Sequence, residues 1–364
     1  MIPYSRQSID DDDIAAVVNV LKGDWLTTGP AIEEFESALA AQVGATFAVA
    51  FANGTAALHG ACAAAGLGAG DTVATSTLSF AASANCALYV GASVALLDID
   101  EATLNLDPAS VPDGLDALVA VHFAGLPVDL GALRTRPRIV IEDAAHALGA
   151  STPDGPVGNC ARSDMCCFSF HPVKAITTGE GGAVTTNDPE LAARLTRFRS
   201  HGTERRPEHG AWYYEIDDVG FNYRLTDIQA ALGTSQLTKL DRYVSRRNVL
   251  ADRYRSDLAS VPVTLPPAPP AGTVHAYHLF PVRVANRRSV FDGLRDQGIG
   301  VQVHYLPIHR HPAYRRLGFQ PEMFPQAEAA YDQLLSLPLY PDLSPTDQDR
   351  VMTVLSSLLD LPER

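Results

Sequence analysis

The chain reads as an α/β protein: a large domain over 1–245 with a mostly parallel sheet sandwiched by helices, then a smaller α+β domain over 246–364. Three observations predict this. From Ala48 onward, short and almost wholly apolar runs alternate with helix-like segments, the pattern of a parallel sheet covered on both faces. The segment Thr226 to about Leu258 carries Ile228, Leu232, Leu240, Val244 and Leu250 on helical spacing, a long or two-part helix that leaves the sheet region. The proline-rich VPVTLPPAPPAG then interrupts any regular pattern and opens the body of the second domain.

The elements follow in order. A first helix is expected from Asp11 to Lys22, with acidic residues at its positive end, apolar Ile14, Val17, Val18 and Leu21, and Gly23 as a stop. A second begins near Pro30 and shows Ile32, Phe35 and Leu39 on one face. Strands are expected in FAVAFA, TVATS, SVALLDI, ALVAVHF and RIVIE, then at Met165–Phe170 and Ala183–Thr186. Between them come helices in NGTAALHGACAAA and FAASANCALYV, a short helix after Pro127, and DAAHAL. AGLGAGD precedes a strand instead of following one, so it reads as a helix-ending turn and not a dinucleotide loop. After a helix at Pro189–Arg199, the stretch HGTERRPEHGAWYYEIDDVGFNYRLTD is polar, aromatic and without periodicity, a length of loop usually reserved for function or an interface. The second domain reads strand (His278–Val284), helix (Ser289–Gln297), strand (Val301–His304), a loop through Phe324, and two helices around LSLPLYPDLS.

Composition narrows the function. With 46% hydrophobic and 19% charged residues the chain is long enough for a large buried core. Its 28 basic against 42 acidic residues give −14, without a basic cluster, which argues against a nucleic-acid partner. The opening MIPYSRQSIDDDD has no signal-peptide pattern and no apolar run is long enough to span a bilayer, so a cytoplasmic protein is expected. Five scattered cysteines, Cys62, Cys86, Cys160, Cys166 and Cys167, read as reduced packing residues. His304, His309 and His311 fit no standard metal spacing, and no metal is expected.

In open α/β sheets ligands gather at the carboxyl ends of strands. That directs attention to Asn53-Gly54-Thr55, Ser79-Phe80, His122, Asp143, and Ser169 with Lys174. Lys174, alone, is either a solvated loop lysine or an enclosed amine suited to Schiff-base chemistry. Gly54 and Thr55 open a helix and could hold a phosphate with backbone N–H groups and a hydroxyl. Phe80 could stack on a ring. Asp143 leaves the apolar strand RIVI as a carboxylate that needs a partner, such as a protonated ring nitrogen. Together these parts suit pyridoxal phosphate, held by a lysine and an acidic partner for the pyridinium. His171, three residues before Lys174, is either a loop-packing or a substrate-facing residue.

NGTAALHGA, EDAAHALGA, FSFHPVKAITTGEGGAVTTND, GFNYRLTDIQAALG and VHYLPIHRHPAYRRLGF resemble, in order and over nearly the whole chain, the motifs of the DegT/DnrJ/EryC1/StrS sugar aminotransferases. That resemblance implies the fold type I aminotransferase architecture with a seven-stranded sheet. It also implies that Lys174 forms the Schiff base with pyridoxal 5'-phosphate, Asp143 binds the pyridine nitrogen, Phe80 stacks on the ring, and Gly54, Thr55 and Ser169 hold the phosphate. Asn222 is implied to reach a phosphate in the neighbouring subunit, making a homodimer with shared active sites. His146 stands near the cofactor's phenolic oxygen, where glutamine is often found. The family's sugar dehydrase branch carries histidine at the lysine position, so Lys174 implies transamination, with pyridoxamine 5'-phosphate formed midway.

The opening segment and the FSFHPVK and EDAAHALG motifs look most like family members that aminate C4 of a UDP-linked 4-keto-6-deoxy-N-acetylhexosamine on the route to pseudaminic acid, with L-glutamate as donor. Tyr4, Arg224, His304 and Tyr305 are the candidate substrate contacts. Alternatives are a dTDP- or GDP-linked keto-sugar aminated at C3 or C4, and a non-catalytic regulator that binds the cofactor.

Overall fold

The computed structural model describes residues 1–359. Helices α1 (Asp11–Lys22) and α2 (Pro30–Val43) lead into a seven-stranded sheet of β1 (Phe47–Phe51), β2 (Thr72–Ser76), β3 (Ser93–Leu97), β4 (Ala117–Val121), β5 (Ile139–Asp143), β6 (Met165–Ser169) and β7 (Gly182–Thr186). The order across the sheet is β1-β7-β6-β5-β4-β2-β3. β7 runs antiparallel to both of its neighbours, and the remaining pairs are parallel.

Side-chain alternation along the strands decides which helices cover which face. Val49, Val73, Val119, Ile141, Met165 and Cys167 pack with α3 (Gly54–Ala64), α4 (Ala82–Tyr89) and α5 (Pro189–Phe198). Ala50, Cys166, Phe168 and Ala183 point the other way, into α2, α6 (Asp227–Leu237) and the start of α7 (Leu240–Asp257). A fully buried Phe such as Phe168 contributes roughly 1.5–3 kcal/mol, so the two layers are the main source of stability. α1 is tied on by a buried carboxylate: Asp13 accepts from Ser235 Oγ at 2.6 Å and Gln236 Nε2 at 2.7 Å, and pairs with Lys239 Nζ at 2.9 Å.

A further cluster surrounds the later part of the chain. Leu250 and Tyr254 of α7 pack with β10 (Phe280–Arg283), α8 (Arg287–Asp296), β11 (Leu334–Leu337) and α10 (Pro345–Leu359). Helix α9 (Pro325–Gln333) precedes β11. Ile2 joins the same cluster and bridges to Ile299, so the first residues of the chain pack with its last third.

Several expected elements differ. DAAHAL forms tight turns instead of a helix, because Gly149 at φ +85 ends it against Val244 after too few residues to propagate. The helix after Pro127 is replaced by a three-residue 3-10 turn at Leu130–Ala132. The unpatterned stretch after α5 contains a hairpin, β8 (Thr203–Arg205) with β9 (Tyr214–Ile216), held by Arg206 between Glu204 and Glu215. Val301–His304 makes a single bridge, Gln302 to Ser336, because the segment then leaves the sheet edge for the cavity described below. Leu334–Leu337, placed between two helices, is itself the partner strand of β10.

Candidate active site

The carboxyl ends of the parallel strands open into a cavity of about 720 Å³. Residues following β2 (Ser79, Phe80), the ends of β4, β5 and β6 (Val121, Asp143, Ser169), and the first turn of α3 line one side. His278, His304 and Tyr305, from the last third of the chain, close it, and Tyr4 reaches it from the N-terminus.

The α3 end is built by close approach. Asn53 caps the helix, its side chain accepting from Ala56 N at 2.8 Å, which leaves the amides of Gly54 and Thr55 at the positive end. A Cβ on Gly54 would lie 2.9 Å from Ser169 Cβ, and one on Gly182 would lie 2.5 Å from Asn53 O. Glycine at both positions therefore lets the helix end sit against β6 and β7, with the Ser169 hydroxyl beside it.

Asp143 belongs to the same strand face as Ile141, toward α4. Its Oδ2 accepts from Ser83 Oγ at 2.6 Å and its Oδ1 from Ala145 N at 3.2 Å. Glu142 points to the opposite face and accepts from His122 Nε2 at 2.7 Å. Strand alternation thus selects which of the two adjacent carboxylates meets the cavity.

Lys174 lies in the β6–β7 connection, which is pinned by Phe170 N to Gly181 O, Thr178 N to Phe170 O and Lys174 N to His171 O, each 2.8–3.0 Å. Burial lowers its ammonium pKa from 10.5 to about 8, partly opposed by the negative charge of Asp143. Such an amine is neutral often enough near pH 7 to act as a nucleophile.

The far wall is a set of neutral histidines. His146 Nε2 lies 3.0 Å from the Tyr305 hydroxyl, and its ring is 4.3 Å from that of His278. Burial, then the nearby Lys174, holds His146 well below the usual imidazole range, and burial does the same for His278 and takes His304 to about 4. Nδ1 of His146 and Nδ1 of His278 are buried without a hydrogen-bond partner. Phe80 is 59% exposed, with its ring 6.0 Å from that of Tyr305, so one aromatic face remains open to a ligand.

This arrangement offers an amine, a carboxylate, a helix end for an anion and an aromatic face in one enclosure. Comparison with known proteins agrees: the model of the DegT/DnrJ/EryC1/StrS aminotransferase family matches residues 7–356. The chain belongs to that family. It is a pyridoxal-phosphate-dependent sugar aminotransferase. The spore coat polysaccharide biosynthesis protein SpsC of Bacillus subtilis is 38% identical over 98% of this chain and 97% of its own length. A Streptococcus pneumoniae protein assigned as a sugar aminotransferase and solved in its PMP form superposes with a TM-score of 0.93, at 27% identity over 99% of both chains. PseC of Helicobacter pylori, an aminotransferase involved in the biosynthesis of pseudoaminic acid, superposes with a TM-score of 0.91, at 29% identity over 99% of both chains.

The aminotransferase cavity fits its cofactor's chemistry: Asp143 offers a buried carboxylate oxygen, Lys174 an amine of lowered pKa, and Gly54 and Thr55 a helix end. Thirteen of the residues singled out in the sequence line this cavity: Tyr4, Asn53, Gly54, Thr55, Ser79, Phe80, Asp143, His146, Ser169, His171, Lys174, His304 and Tyr305. Asn222 and Arg224 do not line it; Asn222 is exposed and bridges Ser200. Sequence reading missed Ser83, although its place in the first turn of the helix after Phe80 signals a side chain facing a neighbouring strand end. It also missed His278, which no local pattern marks. Among the described residues no group of three or more His, Cys, Asp or Glu is placed to hold a metal ion, and no helix is long and apolar enough to cross a membrane.

Proposed function

We propose that this aminotransferase moves the amino group of L-glutamate to C4 of a UDP-linked 4-keto-6-deoxy-N-acetylhexosamine. The observation that carries the reading is the enclosure of Lys174, an amine with pKa near 8, beside the buried Asp143 carboxylate. An amine so placed can anchor the cofactor, be released, and then move a proton. The sugar assignment is supported by the likeness to PseC and by the opening and lysine-loop motifs.

Bound pyridoxal phosphate supplies an electron sink that makes a proton beside the amino nitrogen acidic. The protein's residues do the rest. Asp143 holds the proton on the ring nitrogen; unit charges about 4 Å apart attract by about 4 kcal/mol at an effective dielectric near 20, against about 1 kcal/mol in water. Its own orientation is kept by Ser83 and the Ala145 amide. Phe80 would stack on the ring, Gly54, Thr55 and Ser169 would hold the phosphate, and His146, a neutral imidazole, would meet the phenolic oxygen. Lys174 Nζ accepts a proton from the donor's Cα and delivers one to the sugar carbon. Tyr4, His304 and Tyr305 contact the sugar.

The reading includes a homodimer with shared active sites. Lys174 is the one lysine or arginine lining the cavity among the described residues. A cofactor phosphate, a nucleotide diphosphate and the two carboxylates of glutamate bring several negative charges, so further cations and donors have to come from outside the cavity. Asn222, reaching the cofactor phosphate, and Arg224, reaching the substrate, serve the neighbouring subunit's cavity. Soluble nucleotide sugars as substrates fit a cytoplasmic location.

The test is a panel of UDP-, dTDP- and GDP-linked keto-sugars, each incubated with L-glutamate and the holoenzyme, with products read by mass spectrometry. Amination of the UDP 4-keto sugar supports the proposal. An unchanged UDP 4-keto sugar together with an aminated dTDP- or GDP-linked C3 or C4 keto-sugar overturns it.

A further inference from the structure

The segment that brings His304 and Tyr305 to the cavity has little regular structure of its own. Between the bridge at Gln302 and the 3-10 turn Ile308–Arg310 its place depends on side-chain contacts. Within it His304 Nδ1 lies 2.9 Å from Ser336 Oγ and the Tyr305 hydroxyl meets His146, while the turn that follows is held through His309, whose side chain is wholly buried. Its Nδ1 lies 2.7 Å from Thr77 Oγ1 and its Nε2 lies 2.6 Å from Glu328 Oε1, while its ring stacks on Phe324 at 4.5 Å. A carboxylate only accepts, so Nε2 carries the hydrogen. Burial favours the neutral ring over the pull of Glu328, and Nδ1 then accepts from the Thr77 hydroxyl.

Both ends of this chain are anchored. Thr77 follows β2, donates its backbone N–H to Leu97 O, accepts from Ile308 N at 2.8 Å, and precedes the cavity residues Ser79 and Phe80. Glu328 sits in α9, where it also pairs with Arg310. Asp98, just past β3, accepts from Gln326 N and Ala327 N at 2.9 Å each and so fixes the start of α9. Thr77 is fully buried and does not line the cavity, so the Thr–His–Glu sequence is not a nucleophilic triad. By contrast, Lys174 and Asp143 are held by bonds within the sheet region and need none of these groups.

We propose that the Thr77–His309–Glu328 chain sets the loop of His304 and Tyr305 against the ends of β2 and β3, making His309 a positioning residue for the keto-sugar half of the reaction. This rests on the reading of the cavity as the sugar site. The donor half shares Lys174 and Asp143 with the sugar half but none of the sugar contacts assigned to this loop.

The test is Thr77→Val, which keeps the shape and the backbone bond to Ile308 but removes the hydroxyl, with Thr77→Ser to restore it. In single-turnover measurements on the holoenzyme, Thr77→Val lowers kcat/KM for the keto-sugar half about tenfold and leaves the glutamate half within about twofold, while Thr77→Ser recovers the loss. Amide exchange of residues 302–311 speeds up in Thr77→Val and returns in Thr77→Ser. Wild-type sugar kinetics and exchange in Thr77→Val overturn the proposal. Equal loss in both half-reactions with a lowered Tm also overturns it, since that marks a merely structural contact. Glu328→Gln offers a second route to the same split if the valine variant does not fold. The exchange readout needs no sugar, so a wrong substrate leaves every variant equally inactive while the exchange difference persists.

Discussion

The lowered pKa of Lys174 has a consequence that can be measured without knowing the sugar. At pH 7 an ordinary lysine with pKa 10.5 is neutral about three times in ten thousand, whereas one near 8 is neutral about one time in ten. The reactive fraction is therefore roughly 300-fold larger, equivalent to about 3 kcal/mol taken from burial and offered to chemistry. Cofactor-free protein mixed with pyridoxal phosphate in a stopped-flow instrument, followed by the visible band of the lysine-bound cofactor, reports this directly. The capture rate is expected to rise about tenfold per pH unit up to about 8 and then level off, so that its ratio to the rate for a simple alkylamine in the same buffers is flat below about pH 8 and falls above it. Asp143 opposes the shift, so Asp143→Asn moves the plateau to lower pH. The sign carries over to stability. The folded protein loses the Lys174 proton between about pH 8 and 10.5, where the unfolded chain keeps it, so the stability of cofactor-free wild type relative to Lys174→Met rises with pH through that window. A capture rate that climbs in parallel with the alkylamine to pH 10 would refute the argument.

Other perturbations follow from the same contacts. Asp143→Asn retains the Ser83 partner but loses the charge, and kcat for the glutamate half-reaction should fall by up to about a thousandfold, the rate equivalent of about 4 kcal/mol; undiminished single-turnover rates would remove Asp143 from its role. Mixing Lys174→Ala with Asn222→Ala chains should restore about a quarter of wild-type activity, because each hybrid dimer has one intact site; no recovery after subunit exchange would place Asn222 outside a shared site. Arg247 is fully buried and donates to the carbonyls of Tyr277, His278 and Leu339, so Arg247→Met should cost about 2–4 kcal/mol in denaturant unfolding and loosen His278 at the cavity; an unchanged midpoint would contradict this.

Much of the architecture was legible in the chain because strand and helix periodicities are local. RIVIE, MCCFSF and AVTT announce buried strands. The lysine, the aspartate and the glycine-headed helix could be placed at strand ends for the same reason. Errors fell where long-range packing overrides local preference: DAAHAL is stopped by Gly149 against Val244, and Leu334–Leu337 becomes a strand because β10 is there to pair with it.

By itself, then, the sequence determined the α/β alternation, the family motifs, and the position of Lys174 between two strands, since each depends on neighbours a few residues away. Tertiary structure alone decided that Tyr4, His278, His304 and Tyr305 meet Lys174 around one cavity, that Ser83 holds Asp143, and that Asn222 faces outward. It also decided the chemistry of Lys174. An ammonium's pKa is set by the water removed and the charges brought near, and both come from segments far along the chain.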